Sequence, residues 1–177
     1  MPHPDPAALT RAESLITVIP DYPKPGILFR DIAPLLADGP ALRAVTDALI
    51  APFEGEFDVV AGVEARGFLL AGAVAIAAGV GLVPIRKAGK LPRPAASADY
   101  ALEYGTATIE MHDDIPRGTR VLLLDDVLAT GGTLVAARDL VARVGGVVTG
   151  TAVLMELEGL GGREQLADLR LHTIFRG

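Results

Sequence analysis

The segment VLLLDDVLATGGT, residues 121–133, reads as an apolar run, two acids and a bend of small residues that opens a helix. Val121 to Leu124 has no polar face, as expected of a strand covered on both sides in a parallel sheet. From Thr133 the chain continues TLVAARDLVARV, with Leu134, Ala137, Leu140, Val141 and Val144 at helical spacing. The prediction is strand, turn, helix, with Ala129, Thr130, Gly131, Gly132 and Thr133 at the turn.

Gly131 and Gly132 carry no side chain to hold an anion off, so backbone N–H groups there can converge on phosphate oxygens at the positive end of the helix. The threonine hydroxyls add donors. Asp125 and Asp126 would repel that phosphate, so they suit a neighbour that donates hydrogen bonds: a ribose diol or hydrated Mg²⁺. The plainer alternative is an ordinary strand–turn–helix with an acidic surface turn. A Walker loop and a dinucleotide fingerprint are both excluded, because neither G-x-x-x-x-G-K-[ST] nor G-x-G-x-x-G occurs here.

A chain of 177 residues fits one domain, which can bury about 70% of its unfolded surface. It has no cysteine, which excludes disulfides and thiolate metal sites and agrees with a reducing cytoplasm. The first residues, MPHPDPAALTRAE, place prolines and acids where a signal peptide needs a basic flank and an apolar core, so secretion is not expected. Gly67 to Ile85 is the most apolar region, but it is rich in Gly and Ala and split by Gly79 and Gly81, which argues against a membrane span. A net charge of -6 offers nucleic acid no broad electrostatic footprint. A small anionic substrate would need a local basic cluster.

Taken in order, Pro6 to Ile19 predicts an amphipathic helix capped by Asp5. Residues 20–34, PDYPKPGILFRDIAP, are held stiff and extended by four prolines. Such a loop can wall a flat ring with Phe29, or it is a connector with Phe29 in the core. Asp38-Gly39-Pro40 starts a helix that ends near Pro52. Phe57 to Val63 is a buried strand running into Glu64-Ala65-Arg66-Gly67 and an Ala-rich helix. Gly81 to Arg86 is the next strand, parallel to it through a right-handed crossover.

Residues 87–105 then read as a long loop, of a length that in compact domains is often functional. Arg86, Lys87, Lys90 and Arg93 put four cations in eight residues, either a solvated face or an anion site. Thr106 to Met111 and Val147 to Leu157 are strands, Gly145-Gly146 close the central helix, and a short helical piece at Arg163 to Ala167 precedes a strand at Leu171 to Phe175. His3, His112 and His172 are scattered without metal spacing.

The central motif resembles the phosphoribosyl-pyrophosphate (PRPP) motif of type I phosphoribosyltransferases. Most of the chain resembles the adenine branch of that family, through DYPKPGILFRDIAPLL at 21–36, GVEARGF at 62–68, IRKAGKLP at 85–92, LEYG at 102–105 and LLDDVLATGGT at 123–133. The resemblance implies an α/β, type I phosphoribosyltransferase fold: a twisted, mostly parallel sheet flanked by helices, in a single domain over 1–177. Residues 1–36 would form a small N-terminal hood and base-binding segment, and 87–105 a mobile lid.

The implied reaction is adenine plus PRPP giving AMP and pyrophosphate, with Mg²⁺ held mainly through PRPP, in a cytoplasmic homodimer that engages neither nucleic acid nor membrane. Carried over by position, Ala129, Thr130, Gly131, Gly132 and Thr133 would take the 5′-phosphate, and Asp125 and Asp126 the ribose hydroxyls. Arg66, Arg86, Lys87 and Lys90 would surround the pyrophosphate. Leu28, Phe29 and Arg30 would form the adenine pocket, and Glu103 would be the acid/base residue of the lid with Tyr104 beside it. The plainer alternative for Glu103 is an exposed glutamate at the base of a hairpin.

Hypoxanthine-guanine, xanthine and orotate transferases would share the central motif but not the FRDI and LEYG set. A nucleotide-sensing regulator on the same fold would carry a DNA-binding helix–turn–helix or basic patch, for which the N-terminal segment is too short.

Overall fold

The computed structural model describes residues 5–101 and 105–177. Asp5 caps α1 (Pro6–Ser14), its side chain accepting from the Ala7 N–H. The helix stops sooner than its periodicity predicts, because Thr17, Val18 and Ile19 are β-branched and favour the extended chain. They form β1 (Thr17–Pro20), paired antiparallel with β2 (Leu28–Asp31) in a two-stranded sheet. The proline-rich stretch is therefore the turn and second strand of a hairpin. A short α2 (Ala33–Ala37) leads to α3 (Gly39–Ile50), capped by Asp38, which accepts from the Ala41 N–H at 2.9 Å and pairs with Arg11 of α1.

The remaining elements alternate around one sheet. In chain order they are β3 (Val59–Val63), α4 (Arg66–Ala78), β4 (Gly81–Lys87), β5 (Ala96–Ala101), β6 (Thr106–Met111), β7 (Arg120–Leu128), α5 (Gly132–Arg143), β8 (Val147–Glu156), α6 (Gly162–Gln165) and β9 (Leu171–Arg176). The strand order is β5-β6-β4-β3-β7-β8-β9. The pairs from β4 through β9 are parallel, while β6 runs antiparallel to both β4 and β5. This is the mostly parallel, helix-flanked α/β sheet expected.

The two faces of the sheet divide the core by strand alternation. Val60, Leu122 and Leu124 face the side covered by α1, α3 and α4, where Val45, Leu49, Leu70 and Val74 are buried with them. Ala61, Val121 and Leu123 face the other side, against Leu134, Ala137 and Leu140 of α5. Each of these strands thus lacks a polar face, as a parallel strand covered on both sides must.

Residues 87–105 differ from the long loop read in the sequence. Ala96–Ala101 is a strand paired with Thr106–Met111, with Asp99 and Thr108 joined at 2.6 Å by their side chains. Its inward positions are Ala96, Ala98 and Tyr100, which pack on the α5 side of the core. Two alanines and a tyrosine make too weak an apolar alternation to stand out in the sequence.

Gly62 and Gly67 set how α4 sits on β3. A Cβ on Gly62 would lie 2.6 Å from the Ala71 Cβ and 3.1 Å from the Gly67 carbonyl oxygen. Gly62→Ala is expected to cost about 1–3 kcal/mol by overpacking, measured as a lower urea midpoint at unchanged m-value.

Candidate functional site

Paired registers bring the carboxyl ends of the parallel strands to one edge, with Val63 opposite Ile85, Gly62 opposite Leu124 and Leu128 opposite Glu156. The chain leaves this edge through four turns: 64–65 into α4, 88–95 into β5, 129–131 into α5 and 157–161 into α6. Strand order reverses between β3 and β7, since β4 and β6 build outward on one side and β8 and β9 on the other. Open α/β sheets bind ligands at such a reversal, outside the carboxyl ends of the strands.

At the third turn, Gly131 takes φ +86°, a left-handed conformation that suits glycine, and it caps α5 without any side-chain hydrogen bond. The first-turn N–H groups of α5 therefore face a shallow hollow of about 70 Å³ lined by Val127, Ala129, Thr130 and Thr133. A larger cavity, about 490 Å³ between α3 and α4, is lined chiefly by apolar and small residues such as Leu42, Gly72 and Ile76. It lies away from the carboxylates and converging N–H groups, so the smaller hollow is the chemically equipped one.

Strand β7 runs on to Leu128, beyond the apolar run, and buries both acids: Asp125 is 9% and Asp126 8% exposed. The Asp126 N–H donates to Asp125 Oδ1 at 2.9 Å. Gly67 makes room for this turn, since a Cβ there would sit 3.0 Å from Asp125 Oδ1. Burial, reinforced by the Asp126 charge, pushes the Asp125 carboxyl well above the usual carboxylate range.

Asp126 Oδ2 lies 2.7 Å from Arg66 Nη2 yet accepts no hydrogen bond, so the contact is an ion pair without hydrogen-bond alignment. That oxygen has acceptor capacity for a hydroxyl or for water on a hydrated cation, and carboxylate oxygens are the hard donors Mg²⁺ takes. Among the described residues no group of three or more His, Cys, Asp or Glu could hold a metal. A cation here would take most of its ligands from substrate and water.

The four cations expected around the pyrophosphate divide into two groups. Arg66, at the start of α4, pairs with Asp126, donates from Nη1 to the Arg30 carbonyl at 2.9 Å and lies over the Phe29 ring at 4.9 Å. Arg86 and Lys90 approach Glu64 with their side chains and Lys87 with its backbone N–H; Glu64 is not among the site residues expected from the sequence. The Glu64 side chain is only 8% exposed. It accepts from Lys90 Nζ at 2.7 Å and from the Lys87 N–H at 3.0 Å, with Arg86 Nε at 3.4 Å. Lys90 above all holds its carboxyl below the usual range. Glu64 directly follows a buried strand, as Asp125 follows an apolar run, and that shared placement is the signal that marks it.

Phe29 is half-buried on β2 and meets Tyr22 edge to face at 5.1 Å, so it is not a core residue. Leu28 beside it is 55% exposed. Arg30 shows the Arg66 guanidinium its carbonyl, while its own side chain lines a separate cavity with Ile16, Val18 and Met155. Glu103 and Tyr104 lie outside the described residues.

A profile of the phosphoribosyl transferase domain matches residues 35–171. An adenine phosphoribosyltransferase of Arthrobacter sp. (strain FB24) is 60% identical over 164 residues, 92% of this chain and 89% of that protein. Among solved structures, the adenine phosphoribosyltransferase of Rhodothermus marinus DSM 4252 aligns with a TM-score of 0.92 and 48% identity, over 98% of this chain and 100% of that one. The Saccharomyces cerevisiae enzyme, crystallised with an imino-altritol bisphosphate and adenine, aligns with a TM-score of 0.89 and 36% identity, over 95% and 98% of the two chains.

The buried acid pair has a cost that can be measured. A raised carboxyl binds more protons folded than unfolded, so stability falls as pH rises from the ordinary aspartate value, about 3.9, through the higher folded value. Asp125→Asn keeps the acceptor for the Asp126 N–H and removes that decline. It is expected to raise the thermal midpoint by about 2–4 °C for each ~1 kcal/mol recovered at pH 7.5, with the gain vanishing near pH 3; differential scanning calorimetry at both pH values checks it.

Proposed function

The chain belongs to the phosphoribosyl transferase family, and we propose that it transfers the 5-phosphoribosyl group from PRPP to adenine, giving AMP and pyrophosphate. The observation that carries this reading is the position of Arg66, which touches the Phe29 ring, the Arg30 carbonyl and Asp126 together. One side chain thus spans a surface suited to a flat base and a pair of acids suited to a sugar.

The residues divide the substrate by chemistry. Ala129 to Thr133 offer backbone N–H groups and two hydroxyls to the 5′-phosphate at the positive end of α5. Asp125 and Asp126 accept hydrogen bonds from the ribose 2′- and 3′-hydroxyls. Phe29 and Leu28 flank the adenine, with the neighbouring backbone reading its edge. Arg86, Lys87 and Lys90, with Arg66, face the pyrophosphate.

Breaking the bond from C1′ to pyrophosphate leaves oxocarbenium character on the sugar and negative charge on the leaving group. Fixed cations aimed at that leaving group stabilise the transition state. Mg²⁺, bound chiefly through PRPP and water with Asp125 and Asp126 at hand, would neutralise further leaving-group charge. The reaction needs no enzyme nucleophile. Adenine must be held in line with C1′, which makes positioning a large part of the catalysis.

Water would compete with adenine for C1′, so the site needs cover, and residues 87–105 have the placement to supply it. On this reading the β5–β6 pair is the frame of the lid, and Glu103, two residues after Ala101 in the sequence, manages the proton on the purine. The chain would act as a homodimer in the reducing cytoplasm, as its family likeness and lack of cysteine support. Among the described residues no helix is long and apolar enough to cross a membrane.

Incubated with PRPP and each purine base in turn, the protein is expected to release pyrophosphate with adenine and far less with hypoxanthine, guanine or xanthine. Release with another base alone would reassign the substrate, and no release with any base would favour a nucleotide sensor. Glu103→Ala is expected to lower kcat by about 10²–10⁴-fold with little change in the KM for PRPP. A wild-type kcat would remove it as the acid/base.

A further inference from the structure

The bend at 129–133 has no side-chain hydrogen bond at its helix cap, because Gly131 has no side chain to supply one. Its support comes from the segment between β8 and β9. A Cβ on Gly162 would lie 2.1 Å from the Ala129 carbonyl oxygen and 2.8 Å from Leu128 Cδ1. A Cβ on Gly131 would lie 2.9 Å from the Gly162 carbonyl oxygen and 3.1 Å from the Gln165 Cβ. Two backbones meet here with no side chain between them, which only glycine permits.

The segment that presses on the bend is itself tied down. The Leu157 N–H donates to the Leu128 carbonyl at 2.8 Å, so the segment leaves β8 still bonded to the end of β7. Leu166 is 1% exposed and packs in the same core cluster as Leu128 and Leu134. Between these anchors Arg163 donates from Nε to Glu156 Oε1 at 2.9 Å and from Nη2 to Thr173 Oγ1 at 3.2 Å. Glu156 is the last residue of β8, 8% exposed, and Arg176 approaches it at 3.7 Å. The fork therefore locks α6 to β8 and β9, both continuous with β7.

We infer that α6 is the outer wall of the phosphate bend, and that Gly162 and Arg163 are positioning residues that act through Ala129 and Gly131 on the 5′-phosphate. The inference rests on the reading above that 129–133 receive that group. Backbone N–H groups bind an anion only where they converge, and a bend free to shift by about 1 Å loses much of that convergence. Gly162 meets Leu128 and Ala129, while the base segment and the Glu64 cluster have other supports. Damage to the wall should therefore weaken phosphate recognition selectively.

The experiment compares wild type with Gly162→Ala and with Arg163→Lys, which keeps a charge beside Glu156 but loses the two-pronged geometry. Each folded variant is expected to show a KM for PRPP and a Kd for AMP raised about tenfold or more, with the KM for adenine and the kcat at saturating PRPP within about threefold of wild type. If Gly162→Ala does not fold, Arg163→Lys decides. A lowered melting temperature with unchanged KM for PRPP and Kd for AMP would make α6 a purely structural element and overturn the inference, as would an equal rise in both KM values. Wild-type protein that does not bind AMP would instead overturn the phosphate reading of 129–133 itself.

Discussion

Strand β3 pairs in parallel with β4 on one flank and β7 on the other, and nearly everything useful in the molecule hangs from where those three strands stop. Because parallel neighbours run the same way, their carboxyl ends share an edge, and each must turn there to reach a helix or a loop. Gly62 and Gly67 then let α4 settle close to both strands. The result places Arg66 within reach of Asp126, although the two residues are sixty positions apart in the chain. A helix held even slightly further off would part them.

This edge gathers charge that the core cannot otherwise tolerate. Asp125 and Asp126 sit side by side under cover, and burial of a like-charged pair opposes folding. Arg66 offsets part of that opposition, and Asp125 shows the remainder in its raised proton affinity. Glu64 meets the converse problem after the neighbouring strand, where the side chains of Arg86 and Lys90 and the Lys87 N–H hold a buried carboxylate. Strain of this kind is typical of sites kept for function, where stability is given up locally and recovered from packing elsewhere.

The elements that could be read in the sequence were those whose pattern is dense. Val121–Leu124 announced a covered strand, Leu134 to Val144 a helix, and ATGGT the bend between them. The β5 strand escaped notice because its inward residues are mostly alanine. The hairpin of β1 and β2 escaped because prolines and a glycine signal a turn without saying what the flanking residues pair with. Local sequence cannot decide between core and surface for Phe29, since the choice depends on Tyr22 and Arg66 arriving from other elements. Glu64 and Gly162 matter only through contacts made by folding, and each is an unremarked letter in its own stretch.

A carboxylate lodged between a lysine and an arginine side chain also changes how this edge of the sheet looks from a distance. Glu64 pairs with Arg86 and Lys90, and Asp126 with Arg66, so part of the positive charge is answered from within, in a chain whose net charge is -6. Long polyanions such as RNA are drawn to extended positive potential, which internally paired cations project less strongly. On the proposed function, a compact diphosphate that fits between those side chains would replace the internal acids at close range. On that proposal, discrimination between a metabolite and a polymer would come from counter-ion exchange in a confined space rather than from the strength of the field.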